Sequence, residues 1–303
     1  MKYIWENCDI IKENKEDGHV IAMPFSEKNT AISNRESEYK ISLDGNWKFR
    51  FIKGATDITE EYTGKNIDES KWEEIKVPGV WQLQKDYSKP YYYASSFPNA
   101  ISTSKRKIPQ INHKLQETGI HRTKFFLPEN SDNREIFIFF GAVKAGLELF
   151  VNGKRVGYSQ GSNTPHEFNI TNYVCNGENQ VTAVVYRYTD GTYLEDQDMW
   201  FMSGIYREVY VYSEPKTALR DFFFKTDLIN DYKDGKLSGE LYLTRYAKDS
   251  SYTHIEVFLK NNNSEVQIFD KKADIKSGKN QISFDVTVKN PALWSNEKPN
   301  LYS

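Results

Sequence analysis

The chain has 303 residues, and its 40 Lys and Arg residues nearly balance its 42 Asp and Glu residues, which gives a formal net charge of −2. This balance argues against a nucleic-acid or an anionic-membrane partner, because both attract a basic excess. The two cysteines, Cys8 and Cys175, exclude a disulfide scaffold and a cysteine-built zinc or iron–sulfur site. The longest apolar run, residues 136–143, is far shorter than the roughly 20 residues of a membrane helix. No secretory signal follows the first lysine, so we expect a cytoplasmic protein.

The composition favours strands over helices. Tyr (20) and Phe (18) are abundant, and aromatic residues suit a pleated, half-buried surface. Asn-Gly, Asp-Gly and Ser-Gly pairs recur and are typical of tight turns between strands, whereas no long run has the period of a helix. We therefore predict an all-β protein. The pairs include those that begin at residues 44, 152, 176, 190, 234 and 277.

The first third of the chain is expected to be poor in regular structure. Residues 1–38 are polar and irregular, which predicts an arm that lies across a surface and is partly disordered. The first strand is predicted at residues 41–51, where apolar and basic residues alternate. Residues 68–74 are expected to form a short helical turn capped by Asp68, and four prolines make residues 78–124 loop-rich.

Strands are predicted to resume at residues 135–140. A hairpin is expected at residues 147–158, around the Asn152-Gly153 pair, and further strands at 181–186 and 207–212. This region ends at Pro215.

Pro215 marks the start of a second predicted domain. Five short strands follow it, with a spacing that is typical of an immunoglobulin-like sandwich. Because such a sandwich has seven strands, we expect this domain, residues 215–303, to be truncated before its last strand or strands. The five strands are predicted at residues 222–226, 237–243, 255–259, 266–269 and 282–288.

One segment between two predicted strands is unusually acidic. Glu195, Asp196 and Asp198 lie between Tyr193 and Trp200, and their charges repel one another unless a cation or hydrogen-bond donors compensate. In an extended segment, Asp196 and Asp198 project to one face, where they suit hard cations such as Na⁺, Mg²⁺ or Ca²⁺, and the aromatic rings suit a sugar. A solvated acidic loop is the alternative, and the two-residue spacing alone does not identify a glycosidase carboxylate pair.

Other catalytic signatures are absent from the sequence. There is no nucleophile elbow, no P-loop and no dinucleotide fingerprint, and the five histidines lack the spacing of a zinc-binding helix.

Several motifs together resemble the N-terminal part of the LacZ-type β-galactosidases of glycoside hydrolase family 2. The resemblance covers roughly residues 3–302 and is most specific around residues 190–207. The motifs that carry it lie at residues 43–49, 77–82, 141–146, 151–162, 165–168, 190–200, 203–209, 291–295 and 299–302.

The resemblance implies a jelly-roll sugar-binding domain over residues 39–214, the immunoglobulin-like domain over 215–303, and then a (β/α)₈ barrel with both catalytic glutamates. A barrel needs roughly 250 residues, so this chain holds no catalytic residue and is expected to be inactive alone. The full-length parent is expected to hydrolyse terminal β-galactosides with retention and to form a homo-oligomer.

The resemblance also implies site residues. Asp198 matches an aspartate that binds a sodium ion and contacts the galactosyl group. A magnesium ion is also compatible with the full-length parent. Ala94, Ser95 and Trp200 are the other predicted substrate-binding residues. Ala94 stands where the family usually has an asparagine and offers no side-chain hydrogen bond, so β-glucuronidase and β-mannosidase activities stay open as alternatives.

Two functions of other classes are also compatible with the sequence. One is a free-standing carbohydrate-binding module, in which Tyr193 and Trp200 stack on a sugar. The other is a structural fragment whose truncated second domain pairs an open sheet edge with another chain.

Overall fold

The computed structural model describes residues 3–33, 36–93, 109–261 and 264–303. The chain divides into two compact units, one formed by Met1–Asp17 with Phe25–Ser213 and the other by Gly18–Pro24 with Glu214–Ser303. Strands build both units, which confirms the all-β prediction. No helix in the described ranges is both long and apolar enough to span a membrane.

The strands that begin in the first unit are short to medium in length, and its helical pieces are single turns. The strands are β1 (Lys12–Glu13), β2 (Lys40–Ser42), β3 (Gly45–Lys53), β4 (Glu73–Val77), β5 (Gly79–Val80), β6 (Tyr92–Tyr93), β7 (Glu117–Leu127), β8 (Arg134–Phe140), β9 (Val143–Lys144), β10 (Gly146–Val151), β11 (Lys154–Gln160), β12 (His166–Asn169), β13 (Gly177–Tyr186), β14 (Met199–Trp200), β15 (Gly204–Ile205) and β16 (Val209–Pro215). The α-helical turns are α1 (Lys28–Ile32), α2 (Glu60–Thr63) and α3 (Thr192–Glu195), and the 3₁₀ turns are Ile4–Glu6, Trp81–Leu83, Glu129–Asn133 and Thr171–Tyr173.

The first unit is a sandwich of two main sheets. One has the order β1-β11-β10-β13-β7-β3-β4 and the other the order β12-β8-β16-β2. Alternation along the strands builds the core, because successive side chains point to opposite faces. In β13, for example, Val181, Ala183 and Val185 belong to the central cluster, together with Trp47 of β3 and Ile138 of β8.

The N-terminal segment covers the other face of the seven-stranded sheet. Trp5 is 1% exposed, stacks on Tyr3 at a centroid distance of 4.8 Å, and packs in one cluster with Tyr158 and Tyr186. The segment continues into β1, which pairs with β11 at the edge of the sheet. The N-terminal segment is therefore buried through its aromatic side chains, which its mostly polar composition did not indicate.

Two local predictions near the start of the first unit are wrong. The strand expected at residues 41–51 is two strands in different sheets, because Asp44 accepts a hydrogen bond from the Val209 N–H at 2.8 Å and the chain turns there. The helical turn expected at residues 68–74 is instead a non-helical turn, in which the Asp68 carboxylate accepts the Ser70 N–H at 2.9 Å before β4 begins.

The eleven-residue strand β7 lies where a loop was expected. It pairs with both β13 and β3, and polar residues hide it in the sequence. Arg122 in its middle is 1% exposed, and its guanidinium donates to Glu69 at 2.6 Å and to the hydroxyl of Thr182 at 2.6 Å. Because a buried cation is tolerated only when it is paired, these partners allow an arginine in a central strand.

The second unit contains all five strands expected from the sequence, each longer than predicted. Its described part forms one sheet of order β17-β18-β21 and a second sheet of order β19-β20, and its core includes Leu241, Ile275 and Phe284. The strands are β17 (Thr217–Ile229), β18 (Asp234–Arg245), β19 (Ser251–Lys260), β20 (Glu265–Ile275) and β21 (Gly278–Lys289).

The Gly-containing pairs have different roles. Asn152 and Gly153 have φ of 51° and 80° and join β10 to β11, as predicted. The pair at 234–235 instead lies inside β18, and the turn before it is formed by residues 230–232, which have positive φ.

Candidate acidic and aromatic surface

The acidic segment follows β13 and folds back on itself. It begins with α3 (Thr192–Glu195), passes through Asp198 at a left-handed φ of 53°, and ends in β14, which pairs with β6. The segment is therefore not extended, and Asp196 and Asp198 do not share one environment: Asp196 is 2% exposed, whereas Asp198 is exposed. The reason is the helical turn, which the Thr192 hydroxyl supports by accepting the Thr189 N–H at 3.0 Å.

Other groups of the protein offset the negative charges of Glu195 and Asp196. Asp196 lies 2.6 Å from the ammonium of Lys144, which is also buried. Burial raises the pKa of Asp196, and the Lys144 charge opposes that rise. Glu195 accepts hydrogen bonds from the Ser162 N–H at 3.0 Å and from the Ser162 hydroxyl at 2.6 Å. The repulsion expected from the sequence is thus relieved without a metal ion at these two positions.

A small sheet holds Lys144 beneath the segment. β9, which contains Lys144, pairs with β15, and β15 also pairs with β5. Gly204 of β15 has a φ of 149°, and a Cβ there would lie 2.4 Å from the Gly79 carbonyl oxygen. This close approach of β15 to β5 requires glycine at position 204.

The outer carboxylate belongs to an exposed surface that consists of Asp198, Tyr92 and Trp200, which we call the Asp198 surface. The Tyr92 hydroxyl donates a hydrogen bond to Asp198, and this bond raises the pKa of Tyr92. The Tyr92 and Trp200 rings lie 5.8 Å apart between centroids, and Trp200 is 55% exposed. A carboxylate beside two accessible aromatic faces matches the hydroxyls and the apolar face of a sugar.

Arg187 closes the base of the segment. It is buried, and its guanidinium donates to Glu117 at 2.7 Å and to the carbonyl oxygen of Phe201 at 3.1 Å. Because Arg187 precedes the segment and Phe201 follows it, the hydrogen bond between them ties the two ends together.

Asp198 and Trp200, two of the predicted site residues, both contact Tyr92. Ala94 and Ser95 lie outside the described residues. Tyr193, the other ring considered for stacking on a sugar, packs against the Trp5 cluster and donates its hydroxyl to the Gln110 carbonyl at 2.6 Å. Lys144 was not predicted, although a lysine inside an otherwise apolar stretch is a signal for a buried ion pair.

The segment does not hold a pair of facing carboxylates. Glycoside hydrolysis needs two carboxyl groups on either side of the scissile bond, whereas the Asp196 carboxylate is buried against Lys144 and only Asp198 faces outward. The Asp198 surface instead presents an exposed carboxylate, a group that suits hydroxyl groups or a hard cation.

Comparison with known families gives a clear match on both units. The model of the glycosyl hydrolases family 2 sugar binding domain matches residues 41–215, and the model of glycosyl hydrolases family 2 matches residues 217–303. The chain belongs to glycosyl hydrolase family 2. The match covers the sandwich that carries the Asp198 surface.

Several curated relatives of this chain bear the name β-galactosidase. The chain is 34% identical over 302 residues to the β-galactosidase of Priestia megaterium and 34% identical over 308 residues to that of Leuconostoc mesenteroides. These alignments cover 98% and 99% of this chain but 29% of each relative. The chain therefore corresponds to the N-terminal part of these relatives.

Solved structures of family 2 members share the fold. A β-glucuronidase of Bacteroides uniformis matches with a TM-score of 0.68 at 22% identity, over 87% of this chain and 29% of that chain. A β-glucuronidase of Bifidobacterium dentium matches with a TM-score of 0.63 at 15% identity, over 88% of this chain and 45% of that chain. At these identities the likeness concerns the fold.

Proposed function

We propose that this chain is the N-terminal, non-catalytic part of a retaining β-galactosidase, and that the Asp198 surface forms one wall of its galactose pocket. The observation that carries the proposal is the contrast inside the acidic segment: Asp196 is neutralised in the interior, while Asp198 is held on the outside by Tyr92. A catalytic barrel, supplied by a longer form of the protein, would complete the pocket.

A sodium ion suits Asp198. The carboxylate oxygens of Asp198 are hard ligands of the type that such cations take, and the residue is exposed. When bound, the ion supplies a fixed positive charge that orients sugar hydroxyls. Asp198 would then hold the ion and a galactosyl hydroxyl, and Trp200 would stack on the sugar. Ala94 and Ser95 are the proposed contacts from the chain that follows β6. We assign no residue of this chain to magnesium.

Several finer properties belong to the same proposal. Both catalytic glutamates would lie on the barrel, so the chain alone would not hydrolyse galactosides. The full-length protein would act in the cytoplasm as a homo-oligomer. The β-galactosidase activity is favoured over β-glucuronidase because the curated relatives that match over 98–99% of the chain at 34% identity bear that name.

A fusion tests the proposal. The chain is joined to the part of the Priestia megaterium β-galactosidase that follows the matched region, and hydrolysis of a nitrophenyl β-galactoside is measured with and without sodium chloride. We expect activity in the fusion and none in the 303-residue chain. Asp198→Asn should lower kcat/KM by roughly 100-fold, as the loss of an electrostatic contact to the reacting sugar does, and should remove the response to sodium.

Asp231→Asn is the matched control for that variant, because Asp231 is also exposed and also has a left-handed φ, of 54°. It should leave kcat/KM unchanged. Turnover of galactosides by the 303-residue chain, or a fusion that prefers a β-glucuronide, would contradict the proposal.

A free-standing carbohydrate-binding module is the second candidate, and the exposed rings of Tyr92 and Trp200 favour it. Titration of the 303-residue chain with galactose, lactose and mannose decides between the two. Millimolar or tighter binding that disappears in Trp200→Ala supports the module, whereas heats equal to those of dilution support the incomplete pocket.

A further inference from the structure

The outer face of the second unit carries a cluster of metal-ligating side chains. β19 pairs with β20 so that Glu256 lies opposite Asp270. His254 is two residues before Glu256 and therefore points to the same side of the sheet. Ile255, between them, packs into the core of the unit, which directs the other three side chains outward.

The geometry of the cluster is close to that of a metal site. Nε2 of His254 lies 2.9 Å from Oδ1 of Asp270, and one ligand atom from each of His254, Glu256 and Asp270 can be chosen so that all lie within 4.8 Å of one another. Ligands at 2.0–2.1 Å from a tetrahedral zinc ion are about 3.4 Å apart. Small side-chain rotations would therefore bring the three atoms to bonding distance.

The charges of the cluster also favour a cation. Like charges directly opposite each other across two strands are destabilising, and Glu256 and Asp270 form such a pair. Gln267 donates its amide to both carboxylates, at 2.9 Å and 3.1 Å, which satisfies hydrogen bonds but leaves the two negative charges. Lys272, opposite His254 in the register, is the competing positive charge on this face.

We propose that His254, Glu256 and Asp270 bind a zinc ion on the outer face of the β19–β20 sheet, with water as the fourth ligand. One imidazole nitrogen with carboxylate oxygens is a donor set for zinc, whereas calcium and magnesium take oxygen ligands. This site lies on another unit than the Asp198 surface and does not depend on the proposed function. All three side chains are exposed, so the site is expected to exchange its metal readily and to crosslink two strands without being needed for folding.

The experiment is an isothermal titration of zinc chloride into the untagged 303-residue chain. Cys8 and Cys175 are exposed thiols and are replaced in all proteins by Cys8→Ser and Cys175→Ser. We expect one site. His254→Gln and Asp270→Asn should each lower the zinc affinity by at least roughly 10-fold to 100-fold, which is the loss seen when a residue that only supports a metal ligand is removed. Lys272→Gln should tighten binding severalfold, because it removes the competing charge.

His113→Gln is the matched control, since His113 also contacts a carboxylate, that of Glu6 at 2.9 Å, and should leave the zinc affinity unchanged. A zinc-dependent shift of the His254 ring nitrogens in NMR spectra supports the site independently of any variant. Equal zinc affinity in the parent and in His254→Gln, or calcium binding tighter than zinc binding, would overturn the proposal.

Discussion

The two units are both β-sandwiches, yet among the described residues only the first unit buries histidines. In the first unit His121, His166 and Asp196 are inside, with exposed fractions of 0–2%. In the second unit His254 and Asp270 lie on the outer surface. Burial fixes one ionisation state and gives the group a structural task, whereas a surface position leaves the group accessible to ligands. The three predictions that follow test this difference.

The largest expected effect is the loss of stability of the first unit in acid. Burial lowers the pKa of His121 to about 4 and that of His166 to about 3, below the usual value of about 6.5. The unfolded chain therefore binds more protons, so stability is complete above pH 6.5 and is lost as the pH falls toward 3. At pH 4 the loss should be roughly 3 kcal/mol for each histidine.

Tryptophan fluorescence in urea measures this loss, because five of the six tryptophans lie in the first unit. His166→Gln should flatten the pH dependence between pH 6.5 and 4, and His254→Gln should not change it. A urea midpoint that is the same at pH 6.5 and at pH 4 would refute the prediction that the buried histidines are neutral.

The next effect concerns the buried ion pair of Lys144 and Asp196. Lys144→Ala leaves the Asp196 carboxylate buried without its charge partner, which should cost about 3–5 kcal/mol of unfolding free energy. The matched control in the second unit is Lys236→Ala, which breaks the exposed pair with Asp285 at 3.4 Å and should cost at most about 1 kcal/mol. Urea titrations compare the two variants, and equal losses would remove the distinction between buried and exposed ion pairs.

The smallest effect is expected for Asp198→Asn. The side chain is exposed, and asparagine also tolerates its left-handed φ, so the unfolding free energy should change by no more than about 0.5 kcal/mol. Thermal denaturation tests this. A much larger loss would mean that Asp198 is structural, and the proposed role in ligand binding would be withdrawn.

The sequence predicts the parts of this fold in which one rule decides the local structure. Alternation predicts β21, and the Asn152-Gly153 pair predicts the hairpin of β10 and β11, because these signals are local. The strand β7 was missed because Arg122 breaks its apolar pattern, and only contacts with distant residues such as Glu69 and Thr182 make that residue acceptable in the interior.

The candidate site shows the same limit. The acidic segment was recognisable from its composition, which treated Asp196 and Asp198 alike, and only the family motif pointed to Asp198. The inward turn of Asp196 was not predictable, because it depends on Lys144, which lies 52 positions earlier in the chain. Composition thus predicted where the charge is concentrated, and tertiary contacts decided which carboxylate faces out.

The hydrogen bonds of Arg187 to Glu117 and to Phe201 have a thermodynamic consequence for any ligand of the Asp198 surface. The bond to Phe201 joins the two ends of the loop and the bond to Glu117 holds Arg187 against β7, so part of the loop's conformational entropy is already lost on folding. A ligand that docks there does not have to order the loop, and more of its interaction energy appears as affinity. We therefore expect the lifetime of such a complex to depend on how fast the ligand leaves a rigid surface, and not on a closing motion of the loop.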